Sequence, residues 1–283
     1  MKNILVDTEY SRNTGLGNKL FPWALAKIFS EQNNVKMVNQ TWISIRGAAV
    51  TRGGIDYSKI LRKIYLMDNF CNEQSNNEVG IANVLFKKKC LIDTLSEANN
   101  LKNLFEGVIV FSSRAEHNFF EMYGYQEFIK QKILAITKEK WKNLNIPEKF
   151  IGINIRSGND FQSPGNILSQ HRKTDMLWFV NSMNELRNRN IKIPALIISD
   201  GSEFILKNFA NIDNVYYLSN KSAISDLLVL MNATILLGSG ASSFSAWAAF
   251  LSQVPYFSSS VTPFDKYKIP KPTKNLYYMN ILD

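Results

Sequence analysis

Four runs in the second half of the chain, FIGINI (150–155), ALIIS (195–199), VYYL (215–218) and TILLG (234–238), are apolar or aromatic almost from end to end. A strand with one face in water alternates polar and apolar residues, so runs without alternation read as strands covered on both faces. Stretches with helical spacing lie between them. The first covers 174–190, with Met176, Val180 and Met183 on one face and Thr174 as its cap. A short one follows at 202–209, then 223–232 and 242–251, and a last strand at 255–257 closes the series. Buried strands alternating with helices predict a parallel sheet between two helical layers.

The first half carries the same signal more faintly. NILVD (3–7), VKMV (35–38), CLID (90–93) and GVIVF (107–111) read as strands. Leu20, Phe21, Ala24, Leu25, Ile28 and Phe29 recur at helical spacing. Proline is admitted in the first turn of a helix, so Pro22 predicts a start near Lys19. A further helix is expected over about 115–144, and NIPEK (145–149) reads as a linker. The region 46–80 receives no assignment. The expected architecture is therefore α/β, with two Rossmann-like domains, 1–147 and 148–283, whose parallel sheets face a cleft. Ligands of such sheets lie beyond the carboxyl ends of the strands. Arg156, Asp200 and the turn Gly238-Ser239-Gly240 stand at such ends.

With 283 residues, 45% hydrophobic and 20% charged, the chain has room for two cores. No stretch approaches the roughly 18 uncharged apolar residues of a membrane span. The first residues lack the long apolar core of a secretory signal. Two cysteines, Cys71 and Cys90, suffice for neither a disulfide scaffold nor a zinc site. These features together predict a cytoplasmic protein. The net charge of +9, from 33 basic and 24 acidic residues, favours phosphorylated substrates, polyanions or an anionic membrane face. The longest basic run, Lys87 to Lys89, is short, and no basic helix interleaves aromatics, which counts against nucleic acid.

GSGASSFSAW (238–247) leaves a strand through two glycines and enters a helix through serines. A helix N-terminus offers unpaired N–H groups and partial positive charge, which suits a diphosphate. A capped helix after a tight turn needs the same residue types, and both readings stand at this point. It is neither a Walker loop nor a dinucleotide fingerprint, because the lysine of one and the third glycine of the other are missing. Arg156 offers a planar, always-charged fork to phosphate oxygens; an ion pair with Asp160 or Glu148 is the alternative. NTGLGNKLF (13–21) places two more glycines before a helix. No Asp-x-Asp occurs, and the only histidines are His117 and His171. A bound diphosphate would then be neutralised by arginine and helix dipoles, with no metal. The Gly-x-Ser-x-Gly elbow of the hydrolases is absent.

These stretches, in this order, resemble the bacterial α-1,2-fucosyltransferases of surface-polysaccharide synthesis and the wider GDP-fucose-dependent superfamily. Gly15, Leu16, Gly17 and Asn18, followed by Leu20-Phe21-Pro22-Trp23-Ala24, match the family's opening loop and aromatic helix. Asn154-Ile155-Arg156-Ser157-Gly158-Asn159-Asp160 matches its central His-x-Arg-x-Gly-Asp block. Here Asn154 replaces the histidine and Asn159 stands at the aspartate's usual spacing, with Asp160 one place later: either the loop is shifted by one residue or the acid is replaced. Ser199-Asp200 matches a third block. Asp226-Leu227, Leu230-Met231 and Ser242-Ser243-Phe244-Ser245-Ala246-Trp247 match a fourth.

The resemblance implies a GT-B glycosyltransferase, inverting and metal-independent, moving L-fucose from GDP-β-L-fucose to a glycan hydroxyl, galactose O2. The alternatives are another GDP-deoxysugar or a non-catalytic sugar-nucleotide binder; an unrelated dinucleotide enzyme would need the missing fingerprint. It implies catalytic roles for Arg156 and Asp160; by position alone, Glu9 and His171 are other candidate bases. It implies donor-binding roles for Gly15, Gly17, Asn18, Asn154, Asp200, Ser242, Ser243, Phe244 and Ser245. No cofactor is implied beyond the GDP-sugar. The partners implied are an oligosaccharide or lipid-linked glycan and the inner face of an anionic membrane, with the lysine-rich 266–274 tail as one point of contact.

Overall fold

The computed structural model describes residues 4–9, 15–38, 78–79, 87–112, 119–137, 139–156, 175–199, 203–218, 222–240, 242–259 and 276–278. It divides into two compact units, one ending at Lys138 and the other continuing from Glu139.

In the first unit a five-stranded parallel sheet runs in the order β3-β2-β1-β5-β4. Its strands are β1 (Ile4–Thr8), β2 (Lys36–Val38), β3 (Glu78–Val79), β4 (Lys89–Ile92) and β5 (Gly107–Phe111). β5 is buried along its whole length, as its unbroken apolar run requires. Helix α1 (Leu16–Asn33) begins three residues before the expected Lys19, so Pro22 lies inside it. That proline cannot donate to the carbonyl of Asn18, a loss of about 3 kcal/mol in a helix interior. The helix continues because Leu20, Phe21, Trp23, Leu25, Ile28 and Phe29 are buried on nearly every side of it. Each such side chain contributes roughly 1.5–3 kcal/mol, so their sum outweighs one missing bond.

Helix α2 (Leu95–Leu101) starts in a capping box. The Glu97 N–H donates to Thr94 Oγ1 at 3.1 Å, and Glu97 Oε2 accepts from the Thr94 N–H. The single helix expected over 115–144 is replaced by shorter pieces: a 3-10 turn at Phe120–Met122, helix α3 (Gln126–Ile136) and helix α4 (Glu139–Lys142). Gly124, at φ +90°, breaks the first junction. At the second, the Thr137 hydroxyl donates to the Ile133 carbonyl at 2.6 Å as the chain turns extended. Helix α4 packs on a helix of the second unit, so that unit starts ahead of the expected division after residue 147.

The second unit holds a six-stranded parallel sheet in the order β11-β10-β9-β6-β7-β8. The strands are β6 (Ile151–Ile155), β7 (Ala195–Ser199), β8 (Val215–Tyr217), β9 (Ile235–Gly238), β10 (Tyr256–Ser258) and β11 (Leu276–Tyr278). β11 extends the sheet beyond the strand expected to be last. From β6 the chain steps outward to β7 and β8, then returns past β6 to β9. The order therefore reverses between β6 and β9, the place where doubly wound sheets bind ligands.

One face of β6 presents Ile151, Ile153 and Ile155 to a cluster with Phe179, Met183 and Leu186 of helix α5 (Met176–Asn188). The cap of α5 is Asp175, whose carboxylate accepts from the Trp178 N–H at 3.2 Å; Thr174, the expected cap, lies outside the described residues. A 3-10 helix at Glu203–Phe209 follows β7. On the other face lie helices α6 (Ala223–Met231) and α7 (Ser243–Ser252), packed against each other. Gly152 leaves room for its neighbours: a Cβ there would lie 2.9 Å from the Ala233 Cβ and from the Leu236 Cδ2 of β9, and 3.2 Å from the Leu230 Cδ2 of α6. Among the described residues, no helix is long and apolar enough to cross a membrane.

The Ser182 hydroxyl on α5 is buried and has no hydrogen-bond partner among the described residues. Burying such a group costs about 1–3 kcal/mol. Ser182→Ala should therefore raise stability by about 1 kcal/mol, read as a Tm increase of roughly 2–4 °C in a thermal melt.

Candidate functional site

The carboxyl ends of β6 and β9 lie side by side, with Asn154 opposite Gly238 in the register. Beyond β6 the chain passes directly into Arg156, which is half-buried. Beyond β9 it passes into Ser239, Gly240 and the start of α7. Ser239 joins the two ends. Its N–H donates to the Asn154 carbonyl at 3.0 Å, and its Oγ accepts from the Arg156 N–H at 2.9 Å. The arginine that sequence reasoning placed on a strand end is thus tied through its backbone to the glycine turn. The next turn out, Gly240 N–H to Ser259 Oγ at 2.9 Å, anchors the same loop to the end of β10.

The serines of GSGASSFS divide by helical geometry. Ser242 is the N-cap of α7, buried, its Oγ accepting from the Ser245 N–H at 3.3 Å. The first intrahelical bond runs from the Ala246 N–H to the Ser242 carbonyl. The N–H groups of Ser243 and Phe244 therefore have no acceptor within the helix, and both residues are half-buried at its open end. Ser245 turns inward and is 2% exposed. Its hydroxyl donates to Asn154 Oδ1 at 2.6 Å, a buried bond across 91 residues of sequence. The Asn154 amide nitrogen points to the Ile198 carbonyl on β7 at 3.4 Å. Asn154 and Ser245 are interior residues, whereas Ser243 and Phe244 lie at the surface of the turn.

Beside them Tyr256 of β10 is fully buried, its hydroxyl against those of Ser245 and Ser258. Burial pushes its pKa far above the usual tyrosine value; the neighbouring Ser258 and Ser245 hydroxyls oppose the shift only in part. The ring fits because Gly238 has no side chain. Sequence reasoning took no account of this tyrosine. Its signal is a phenol at the start of a short strand, facing a glycine in the neighbouring one.

Asp160, Asp200 and His171, with the 266–274 tail, lie outside the described residues. Gly15, Gly17 and Asn18 belong to the first unit. Gly15 is the N-cap of α1 with nothing within 4 Å of an added Cβ, so no close approach to the protein demands a glycine there. Gly17 and Asn18 are in the first turn of the helix, not in a loop; Gly17 is buried and Asn18 half-buried. Glu9 is exposed at the end of β1, its N–H donating to the Phe111 carbonyl at 2.9 Å. A cavity of about 310 Å³ opens near the amino ends of β7 and β8, lined in part by Asn184, Lys192 and Asn214. There Arg187 donates to the carbonyls of Ile191, Ile193 and Asp213, a loop-fastening role away from the strand ends described above. Among the described residues, no group of acids, histidines and cysteines is gathered to hold a metal ion.

The sequence matches Glycosyl transferase family 11 over residues 111–266, more than half of the chain. The chain belongs to Glycosyl transferase family 11. The match takes in Asn154, Arg156 and the whole GSGASSFS turn. The opening Gly15-to-Asn18 stretch lies outside it. No curated protein matches this family 11 member. Among solved structures, the fucosyltransferase NodZ from Bradyrhizobium is similar at 12% identity and a TM-score of 0.50, covering 89% of this chain and 93% of that one. An Arabidopsis thaliana FUT1 variant in complex with GDP is similar at 10% identity and a TM-score of 0.50, covering 91% and 70%. At these identities the likeness is one of fold: α/β, with parallel sheets.

A Cβ on Gly238 would stand 2.7 Å from Tyr256 Cε2 and 2.8 Å from the Ser245 Cβ. Gly238→Ala should therefore cost about 1–3 kcal/mol of stability through forced displacement of a packed ring. A urea or thermal unfolding curve reads this directly.

Proposed function

We propose that this family 11 glycosyltransferase moves L-fucose from GDP-β-L-fucose to O2 of a galactose in a glycan, with inversion and without a metal ion. The observation that carries the proposal is the joining of Arg156 to the open end of α7 through Ser239, at the point where the strand order reverses. An arginine, a helix dipole and the Ser243 and Phe244 N–H groups, which have no acceptor within the helix, are the kinds of group that suit a dianionic ligand. GDP in a structure of the same fold supports the choice of nucleotide.

In the transfer, an acceptor oxygen attacks the anomeric carbon. The bond from that carbon to the diphosphate oxygen breaks, and GDP leaves with the electron pair. The acceptor proton passes to a base, a role given to Asp160 from its place in the sequence motif. Charge grows on the leaving diphosphate as the bond breaks, and preorganised donors aimed at that charge lower the barrier. The net charge of +9 supports work on a lipid-linked acceptor at the inner, anionic membrane face, in surface-polysaccharide synthesis.

GDP should raise the Tm of the protein, with EDTA present or absent, and NAD should not. Loss of the GDP effect in EDTA would overturn the metal-free reading; stabilisation by NAD in place of GDP would overturn the nucleotide. Arg156→Ala should lower kcat for GDP-fucose by about 10²–10³-fold, the usual cost of removing one donor to developing charge. Release of GDP on adding a galactose-terminated acceptor, followed by linkage analysis of the product, tests the sugar and the position.

A further inference from the structure

Leu230, Ala246, Trp247 and Ala249 supply an apolar surface to the layer between β6, β9 and α7. Asn154, Ser245, Tyr256 and Ser258 interrupt it, and each is 5% exposed or less. They are connected. Ser245 donates to Asn154 and lies against Tyr256, and Tyr256 lies against Ser258. The bond between Ser245 and Asn154 holds one arrangement, because displacing either residue would strand both polar groups in a low-dielectric interior.

Asn154 is also bonded on its main chain. Its carbonyl accepts from the Ser239 N–H, and Ser239 in turn accepts from the Arg156 N–H. One residue thereby holds two things: the first turn of α7 through its side chain, and the strand end carrying Arg156 through its backbone. Apolar packing alone would allow α7 to slide along the sheet; a 2.6 Å bond from the third residue of that helix does not.

We propose that Asn154 and Ser245 are positioning residues of the transfer reaction: their buried hydrogen bond fixes the open end of α7 relative to Arg156, and neither side chain touches the donor. The inference rests on the GDP-sugar reading given above. The amide suits the task because it offers an acceptor to Ser245 and a donor to Ile198 at once. A neutral imidazole offers the same pair, one nitrogen for each. Alanine offers neither.

The test is steady-state kinetics with GDP-fucose and a galactose-terminated acceptor, on variants shown by circular dichroism to be folded. Asn154→Ala and Ser245→Ala should each lower kcat by about 10–100-fold, the effect of a misplacement of about 1 Å, with a smaller change in KM. The double variant should be no worse than the more impaired single one, because both remove the same bond. Asn154→His should restore most of kcat at pH 8. It should lose activity relative to wild type as the pH falls through the imidazole range, about 6.5 in water, since a protonated ring has no acceptor. Tyr256, the ionisable side chain in this network, stays neutral throughout.

Unchanged kcat in folded single variants, additive losses in the double variant, or an Asn154→His enzyme no better than Asn154→Ala would each overturn the inference. If Asn154→Ala does not fold, Ser245→Ala and Asn154→His decide it. Failure of the wild-type enzyme to turn over GDP-fucose or be stabilised by GDP would count against the function reading instead, so the two failures are separable.

Discussion

The pairing of β6 with β9 is the constraint on which the arrangement of the second unit's strand ends depends. Two strands far apart in sequence become neighbours, and their exits carry the arginine and the glycine turn. Nothing local brings these residues together. The pairing is possible because small residues face α6 and α7 on that side of the sheet. Gly152 lets α6 approach, and Gly238 leaves room for Tyr256 and Ser245. The opposite face of β6 has no such need, and there isoleucines fill the space in the ordinary way. The asymmetry of β6, bulky on one face and small or polar on the other, is what lets an apolar strand end in a charged site.

A polar group inside a protein is stabilising only when its partners are in place, and costly otherwise. Around Asn154, Ser245 and Ser239 meet that condition with hydroxyls, which turn to donate or accept as needed. Ser239 shows this most plainly. Its Oγ accepts from the Arg156 N–H and lies 3.3 Å from the Asn154 carbonyl, towards which it donates. The same residue types that cap a helix also wire that helix to the sheet. Ligand site and capped turn, the two readings the sequence left open, are not exclusive. Ser242 and Ser245 serve the fold, and the residues between them are left facing outward.

Much of the fold was legible because strands buried on both faces cannot alternate. FIGINI, ALIIS and GVIVF announce themselves in this way, and their observed bounds agree closely with the runs. The errors arose where a local rule met a tertiary gain. Pro22 argued for a late start to α1, but a helix buried almost all round tolerates one missing bond. The 115–144 stretch looked continuous because apolar residues recur through it, although Gly124 was a visible breaker. The Thr94–Glu97 capping box is readable in the sequence, three residues apart ahead of a helix. Strands β3 and β11, of two and three residues at sheet edges, carry too short a pattern to read. In the site, sequence treated Ser242 to Ser245 as equals. Only the helical period, applied from a known start, separates the outward pair from the inward one. The inward direction of Asn154 could have been inferred from strand alternation, since Ile153 and Ile155 claim the other face.

The contact between Gly238 and Tyr256 makes two distant positions a single unit of volume. A side chain added on β9 needs an equal amount of ring removed from β10, and a smaller residue on β10 leaves a hole that only a larger one on β9 could fill. Grafting the glycine turn onto another scaffold would therefore fail unless the aromatic residue travelled with it. The smallest transferable piece of this protein's turn is a pair of neighbouring strands, not a loop.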